Sequence, residues 1–281
     1  MAAQLRNDLN KQNTLPDSHL TDSDDPTAST KVPQSSQGRS KRKQPSTPIK
    51  KPKRTKFTLI VKPDCFSQGK GIFLTNDLND LKGLPKEEGD HVIQEYMREP
   101  HLIDELKYDI RLYVLVLSCE PLKIFMFREG LVRFATKKYT PIENNSAKKE
   151  LDNLLMHLTN YAVNKDEEDF IVPKGVNDDN AHKRSLKMVL ERLRKEGQDT
   201  EKLMEQIKDI IVKTILPIQE DIRHNYRACQ PSDIENQMCF EILGFDIILD
   251  KDCKPFLLEV NHAPSFATDT PLDYDIKKKL F

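Results

Sequence analysis

The sequence predicts an α+β fold, with α/β as the alternative. Three observations lead there. Short apolar runs rich in β-branched and aromatic residues follow one another from Phe57 to Thr136. A helical period replaces them from Lys148 onward, and two further apolar runs close the chain. Strand signals have period two and helix signals period 3.6, so the switch marks a change of layer.

The elements justify themselves in order. FTLIVK (57–62) and GIFLT (71–75) are short strands flanking the loop PDCFSQGK, and HVIQEYM (91–97) is a third. YDIRLYVLVLS (108–118) is long and apolar enough for a buried strand. KIFMF (123–127) follows Glu120-Pro121, and LVRFAT (131–136) follows Glu129-Gly130. Each of those pairs reads as a turn, so an antiparallel meander of three strands is expected. Between Glu201 and Tyr226 the residues Leu203, Ile207, Ile210, Ile211, Ile215, Ile218 and Ile222 recur near period 3.6, with a kink expected at Pro217. CFEILGFDIILD (239–250) and PFLLEVN (255–261) are strands joined by a short polar turn. No internal repeat is visible.

Composition divides the chain. Of 281 residues 32% are charged, with 44 Lys and Arg against 45 Asp and Glu. Residues 1–56 hold twelve basic and five acidic residues, a net of +7, which leaves −8 to residues 57–281. The first part is poor in large apolar residues and rich in Pro, Ser and Thr, so it is expected to be disordered. Its basic stretch 39–56 offers contact with nucleic acid, an acidic protein tail or an import receptor, or serves as a solvated linker. The expected organisation is a tail at 1–56 and one domain at 57–281, β-rich over 57–136 and helical over 137–281. No run approaches the roughly 18 apolar residues of a membrane span, and no apolar segment follows Met1, so neither membrane nor secretion is expected. Five cysteines without metal-type pairing fit a reducing compartment.

Three groups of residues carry chemistry. In QGKG (Gln68, Gly69, Lys70, Gly71), two glycines beside a lysine can fold over phosphates, or simply turn a hairpin. Lys62, at the end of the preceding strand, can add a point charge to the phosphate. Asp246, Glu259 and Asn261 form the second group. Period two puts Glu259 and Asn261 on one face, and pairing through the 250–255 turn brings Asp246 beside Glu259. Two carboxylates and an amide oxygen are hard ligands suited to Mg²⁺ that also holds nucleotide phosphates; the alternative is a solvated sheet face. The third group is KYDIR, where Lys107, Asp109 and Arg111 alternate along one face that lines a cleft or forms a salt-bridged surface strip. HLTNYAVNK adds His157, Thr159, Asn160 and Tyr161.

These runs, in order, are IVKPD…QGKGI, VIQEYM, KYDIRLYVLV, EGLVRFAT, MHLTNYAVNK, IRHNYRACQ, CFEILGFDIILD and LLEVNHAPSF. From about Phe57 to Phe281 the chain resembles the tubulin-tyrosine-ligase-like family of the ATP-grasp superfamily. RFAT, HLTNYAVNK and EVNHAPSF are most similar to its polyglutamylase branch. The resemblance implies an ATP-grasp fold and an ATP-dependent, Mg²⁺-requiring ligase that adds free glutamate to glutamate side chains of tubulin tails through an acyl-phosphate. It makes Arg133, Lys107 and Arg111 the catalytic cations. Lys62, Gln68, Gly69, Lys70, Gly71, Lys107, Asp109, Thr159 and Asn160 would hold the nucleotide, with Gln94, Glu95, Tyr96 and Met97 as the adenine-facing hinge. Arg133, Tyr161 and Lys277 would meet the incoming amino acid, and Asp246, Glu259 and Asn261 the metal. A monomer acting on microtubules in the cytoplasm and cytoskeleton is implied, with cilium, basal body or nuclear import through 41–54 as further locations. Nucleic acid is not an expected partner.

The chain also departs from the family pattern. The loop reads PDCFSQGKG where PDSGCQGRG is usual, Ala181-His182 stand where Gly-Ser usually precede Lys183-Arg184, and the family's N-terminal domain is expected to be missing ahead of IVKPD. These departures imply an alternative: an impaired family member that binds nucleotide or microtubules without ligation.

Overall fold

The computed structural model describes residues 57–64, 66, 68–84, 89–142, 148–236 and 238–281. The tail at 1–56, with the disorder and the contacts expected of it, and Cys65 of the loop lie outside them.

Two antiparallel sheets meet across a cleft. The smaller has the order β2-β1-β3, from β1 (Leu59–Pro63), β2 (Phe73–Thr75) and β3 (His91–Glu95). The larger runs β7-β6-β5-β8-β9. Its strands are β5 (Leu106–Cys119), β6 (Leu122–Phe134), β7 (Lys183–Ser185), β8 (Glu241–Leu249) and β9 (Pro255–Asn261), with β4 (Leu102–Ile103) pairing onto β5. The α+β class follows, since helices pack against antiparallel sheets.

Strand β5 is paired on both sides, by β6 and β8, which explains its unbroken apolar run. Alternation then sorts its faces. Tyr108, Ile110, Leu112 and Val114 are buried in the main core, together with Val132, Phe134, Phe245 and Ile247 of the flanking strands. The helical layer covers that face. Helix α4 (Leu186–Lys195) supplies Leu186, Val189 and Leu193, and helix α5 (Thr200–Ile215) supplies Leu203, Ile207, Ile211 and Ile215. Ser185 and Asp199 cap the two helices by accepting from the Met188 and Lys202 amides. The opposite face of β5 turns Lys107, Asp109 and Arg111 toward the cleft.

Two expectations need correction. The meander of three is a hairpin of two, because β6 passes straight through Glu129-Gly130. Pairing slips from Leu112↔Gly130 to Val114↔Met126, so β6 accommodates two extra residues as a bulge rather than a turn. Gly130 is there for close approach: a Cβ would stand 2.8 Å from the Arg111 carbonyl oxygen. The apolar stripe of the long helix also stops early. Pro217 falls in a 3-10 turn (Leu216–Ile218) between α5 and α6 (Gln219–Cys229), as the proline predicts, but beyond it Ile218 and Ile222 are exposed.

The smaller sheet has its own core. Ile60, Leu74 and Tyr96 pack with Tyr139, Leu151, Met156 and Leu158. Three short helices run beside it: α1 (Lys148–Leu151), α2 (Leu154–His157) and α3 (Tyr161–Asn164). The last helix, α7 (Pro271–Lys277), buries Leu272 and Ile276 against Leu131 of β6. Cys119, Cys229, Cys239 and Cys253 are free thiols.

Candidate active site

The cleft holds two contiguous cavities that share Ile60, Lys62, Lys107, Ile248 and Leu258. The larger, about 690 Å³, takes Gln94, Glu95, Tyr96 and Met97 from the end of β3, with Ile142 and Phe256 as apolar walls. The smaller, about 60 Å³, takes the charged and polar side chains of Asp109, Arg133, Thr159, Asn160, Asp246 and Glu259. The larger cavity combines those apolar walls with charged residues, among them Glu95, Arg98, Glu99, Asp250, Lys251 and Asp252. It therefore suits a ligand with a flat ring and polar edges, continued by an anionic end toward the smaller cavity.

The charged chamber is built by strand register. Arg111 lies opposite Asp246 across β5 and β8, and Asp109 opposite Arg133 across β5 and β6. Arg111 grips Asp246 with two nitrogens, Nε on Oδ1 and Nη2 on Oδ2 at 2.8 Å. Arg133 donates from Nε to Asp109 Oδ1 at 3.0 Å and from Nη2 to Asp246 Oδ2 at 2.8 Å, and also bonds Asp109 Oδ2. Burial works against both charges on Asp246 and Arg133. The two guanidiniums nevertheless outweigh it and hold the Asp246 carboxyl down at about 2, while Asp109 and Asp246 raise Arg133.

Glu259 stands beside Asp246, paired with it in register. Burial, then the neighbouring Asp246 charge, pushes its carboxyl up. Asn261 Nδ2 lies 3.5 Å from Asp246 Oδ2 and 3.4 Å from Glu259 Oε1. Among the described residues no three or more His, Cys, Asp or Glu cluster for a metal, so any cation here has two carboxylates and one amide. That donor set fits Mg²⁺, which keeps waters and phosphates and takes few protein ligands. A half-turn of the Asn261 amide presents its oxygen, and a cation would relieve the repulsion that raises Glu259.

Lys62 and Lys107 stand where the chambers join. Lys62 donates to Gln94 Oε1 at 3.1 Å. Burial lowers it, and the Glu259 and Asp246 charges partly restore it. Lys107 is buried, donating to the Tyr96 hydroxyl at 3.0 Å and to the His157 carbonyl at 2.7 Å. Burial brings its ammonium down to about 7, against the pull of Asp109.

Other expected site residues lie elsewhere. Gln68, Gly69, Lys70 and Gly71 form the turn between β1 and β2 and line neither cavity. Gln68, Gly69 and Gly71 have φ of 64°, 84° and 72°, the left-handed region that explains the glycines. The loop leans on α3, where a Cβ at Gly69 would stand 3.0 Å from Val163. Tyr161 and Lys277 gather around a buried ion pair outside the two cavities. Lys183 Nζ donates to Asp273 Oδ2 at 2.7 Å, Lys277 stands 3.1 Å from Asp273 Oδ1, and Lys183 lies over the Tyr161 ring.

Sequence reasoning missed Asp273 and Lys183 as partners there, and missed Asn164 altogether. Asn164 Oδ1 accepts from both the amide and hydroxyl of Thr136, and its Nδ2 donates to the Leu158 and Asn160 carbonyls. It thereby fixes the segment that carries Thr159 and Asn160 to the end of β6. A buried, polar Asn within HLTNYAVNK was the available signal.

A family model described as "Tubulin-tyrosine ligase family" matches residues 4–281. The chain belongs to that family. Its fold is therefore ATP-grasp, and the two sheets are the halves between which the cleft opens. The match begins well ahead of Phe57, where the motifs start. Among curated relatives, a "Probable beta-tubulin polyglutamylase" of Tetrahymena thermophila is 51% identical over 221 residues, 78% of this chain and 18% of that protein. "Tubulin polyglutamylase ttll6" of Danio rerio is 45% identical over 79% of this chain and 27% of its own length. "Tubulin polyglutamylase TTLL13" of Mus musculus is 46% identical over 79% of this chain and 26% of its own length. The chain thus spans between 18% and 27% of these family members.

Proposed function

We propose that this member of the tubulin-tyrosine ligase family is an ATP-dependent glutamate–protein ligase acting on tubulin tails, and so on the cytoskeleton. The observation that carries the reading is the charged chamber: Asp246, Glu259, Arg133 and Lys107, with Asn261 beside the two carboxylates, converge next to a cavity large enough for a nucleoside. The relatives' printed names supply the substrate, tubulin, and the product, polyglutamate.

In this reading the adenine enters the larger cavity beside Gln94–Met97, and the phosphates reach Lys62 and Lys107. Asp246, Glu259 and Asn261 would hold Mg²⁺, whose charge would offset that of the phosphates. An acceptor carboxylate oxygen attacks the γ-phosphorus, the bond to ADP breaks, and an acyl-phosphate forms. The amine of free glutamate, having lost its proton, attacks the carbonyl carbon, and phosphate leaves as the isopeptide bond forms. Arg133 lies at the junction of both steps, and its Nη1 is the guanidinium nitrogen not engaged by Asp109 or Asp246. That nitrogen is the one we assign to the incoming carboxylate; the roles of Tyr161 and Lys277 toward it rest on the family resemblance, since both lie outside the two cavities.

A second reading, binding of nucleotide or microtubules without ligation, has one observation in its favour. The Phe66 ring packs against Gly71, 3.2 Å from where a Cβ would be, and fills part of the loop expected to close over phosphate. The test is incorporation of labelled glutamate into microtubules with Mg-ATP, by the unmutated chain and by Glu259→Gln. Label with the first and none with the second supports ligation. ATP binding with no label from the unmutated chain favours the second reading.

A further inference from the structure

We infer that Tyr96 and His157 are positioning residues for Lys107, forming a one-directional hydrogen-bond chain that aims its ammonium at the phosphate nearest the nucleoside. The inference rests on the nucleotide reading of the cleft and adds to it two side chains with a defined task.

The direction of the chain follows from donor and acceptor chemistry. His157 Nε2 lies 2.9 Å from the Glu150 carbonyl oxygen, and a carbonyl only accepts, so Nε2 carries the proton. The ring is neutral, because burial and then the Lys107 charge bring it down to about 4. Nδ1 is therefore an acceptor, 3.0 Å from the Tyr96 hydroxyl. The Tyr139 oxygen, whose own proton goes to the Arg98 carbonyl, is a second acceptor beside it, so the Tyr96 proton is held on the side away from Lys107. With its proton committed, the Tyr96 oxygen faces Lys107 with a lone pair and accepts from Nζ at 3.0 Å. The Tyr96 and His157 rings meet edge to face at 5.4 Å, and both residues are buried, at 4% and 1% exposure. Lys107 also lies over the Tyr96 ring, 4.4 Å from its centroid.

This arrangement answers a physical difficulty. A buried ammonium that no carboxylate bonds is costly, and Asp109 acts on Lys107 through its charge without a hydrogen bond between them among the described residues. The hydroxyl and the His157 carbonyl take two of its three N–H donors and fix their direction. The third is left for a ligand at the junction where the two cavities meet. An ammonium has no acceptor to offer, so the Tyr96 proton needs one elsewhere, and His157 Nδ1 supplies it.

The test compares ADP with adenosine, so that loss of a phosphate contact is separated from collapse of the base cavity. Titrations use the full chain and the variants Tyr96→Phe, His157→Leu and His157→Asn, with thermal melting as a check on folding. Asparagine places an acceptor oxygen near the position of Nδ1, whereas leucine does not. A charge-assisted hydrogen bond is worth roughly 1.5–3 kcal/mol, so Tyr96→Phe and His157→Leu should weaken ADP about tenfold or more while adenosine changes less than about twofold. His157→Asn should recover most of the ADP affinity. Equal losses for ADP and adenosine, or His157→Asn behaving as His157→Leu, would overturn the inference while leaving the nucleotide reading intact. Failure of the folded, unmutated chain to bind either ligand would overturn both.

Discussion

Substituting Asp246 with Asn keeps its size and removes one charge from a cluster of four. In the native chain the Asp246 and Asp109 carboxylates face the Arg111 and Arg133 guanidiniums, and the Arg111, Arg133 and Asp246 side chains are 11%, 15% and 2% exposed. After the change Arg111 bonds no carboxylate among the described residues and keeps at most one bond, to the amide oxygen, while Arg133 keeps Asp109. Removing one partner of a buried pair typically costs about 3–5 kcal/mol, because the other charge stays buried. The lower end applies here, since Arg133 keeps Asp109, so about 3 kcal/mol is expected. For a domain of this size each kcal/mol moves Tm by roughly 2–4 °C, which gives a fall of about 6–12 °C. Circular dichroism melts of both proteins measure it, and the difference should survive added salt because the cluster is buried. Asp246→Asn combined with Arg111→Gln should cost less than the sum of the two single changes, since each removes the same bond. A Tm within 2 °C of the unmutated chain, or full additivity, would refute the reasoning.

Three further outcomes follow from the same structure. His157 is held neutral with a folded-state value of about 4 against 6.5 unfolded, so its contribution is intact above 6.5 and is lost as pH falls toward 4. Urea unfolding should show about 2 kcal/mol lost between pH 7 and 5 that His157→Asn does not lose; identical slopes would count against a neutral, buried ring. Gly130→Ala drives a Cβ to 2.8 Å from the Arg111 backbone and should cost about 1–3 kcal/mol, so an unchanged melting curve would mean that β6 has more room than the bulge suggests. Asn164→Leu strands the Thr136 amide and the Leu158 carbonyl and should cost at least about 2 kcal/mol in denaturant titration; a loss under about 0.5 kcal/mol would show that water replaces the side chain.

How far the sequence could be read depended on how local the cause was. That Asp246 would come near Glu259 was legible because the strands sit on either side of a short turn. Regular register, however, would pair Asp246 with Leu258; a bulge between Asp246 and Ile247, which no spacing announces, brings Glu259 opposite. The kink at Pro217 was legible because a missing N–H is a local fact. Glu129-Gly130 misled because the dipeptide has turn chemistry, while the glycine answers to a neighbouring strand 18 residues away in sequence at Leu112. Strand β7 is three residues long and has no period to detect. Lys107, Tyr96 and His157 come from three elements, and only packing of the smaller sheet against α2 brings them together. The turn at Gln68–Gly71 was visible from its glycines, yet its lean toward α3 follows from closeness to Val163 and Asn160 that no spacing encodes.

The central claim is that one cleft couples nucleotide cleavage to glutamate ligation. Counting ADP formed against glutamate incorporated into microtubules, with each reactant omitted in turn, tests it most directly. The account predicts one ADP per glutamate and neither product when ATP, glutamate or tubulin is left out. Incorporation without nucleotide, or ADP accumulating at the same rate without glutamate and tubulin, would contradict it.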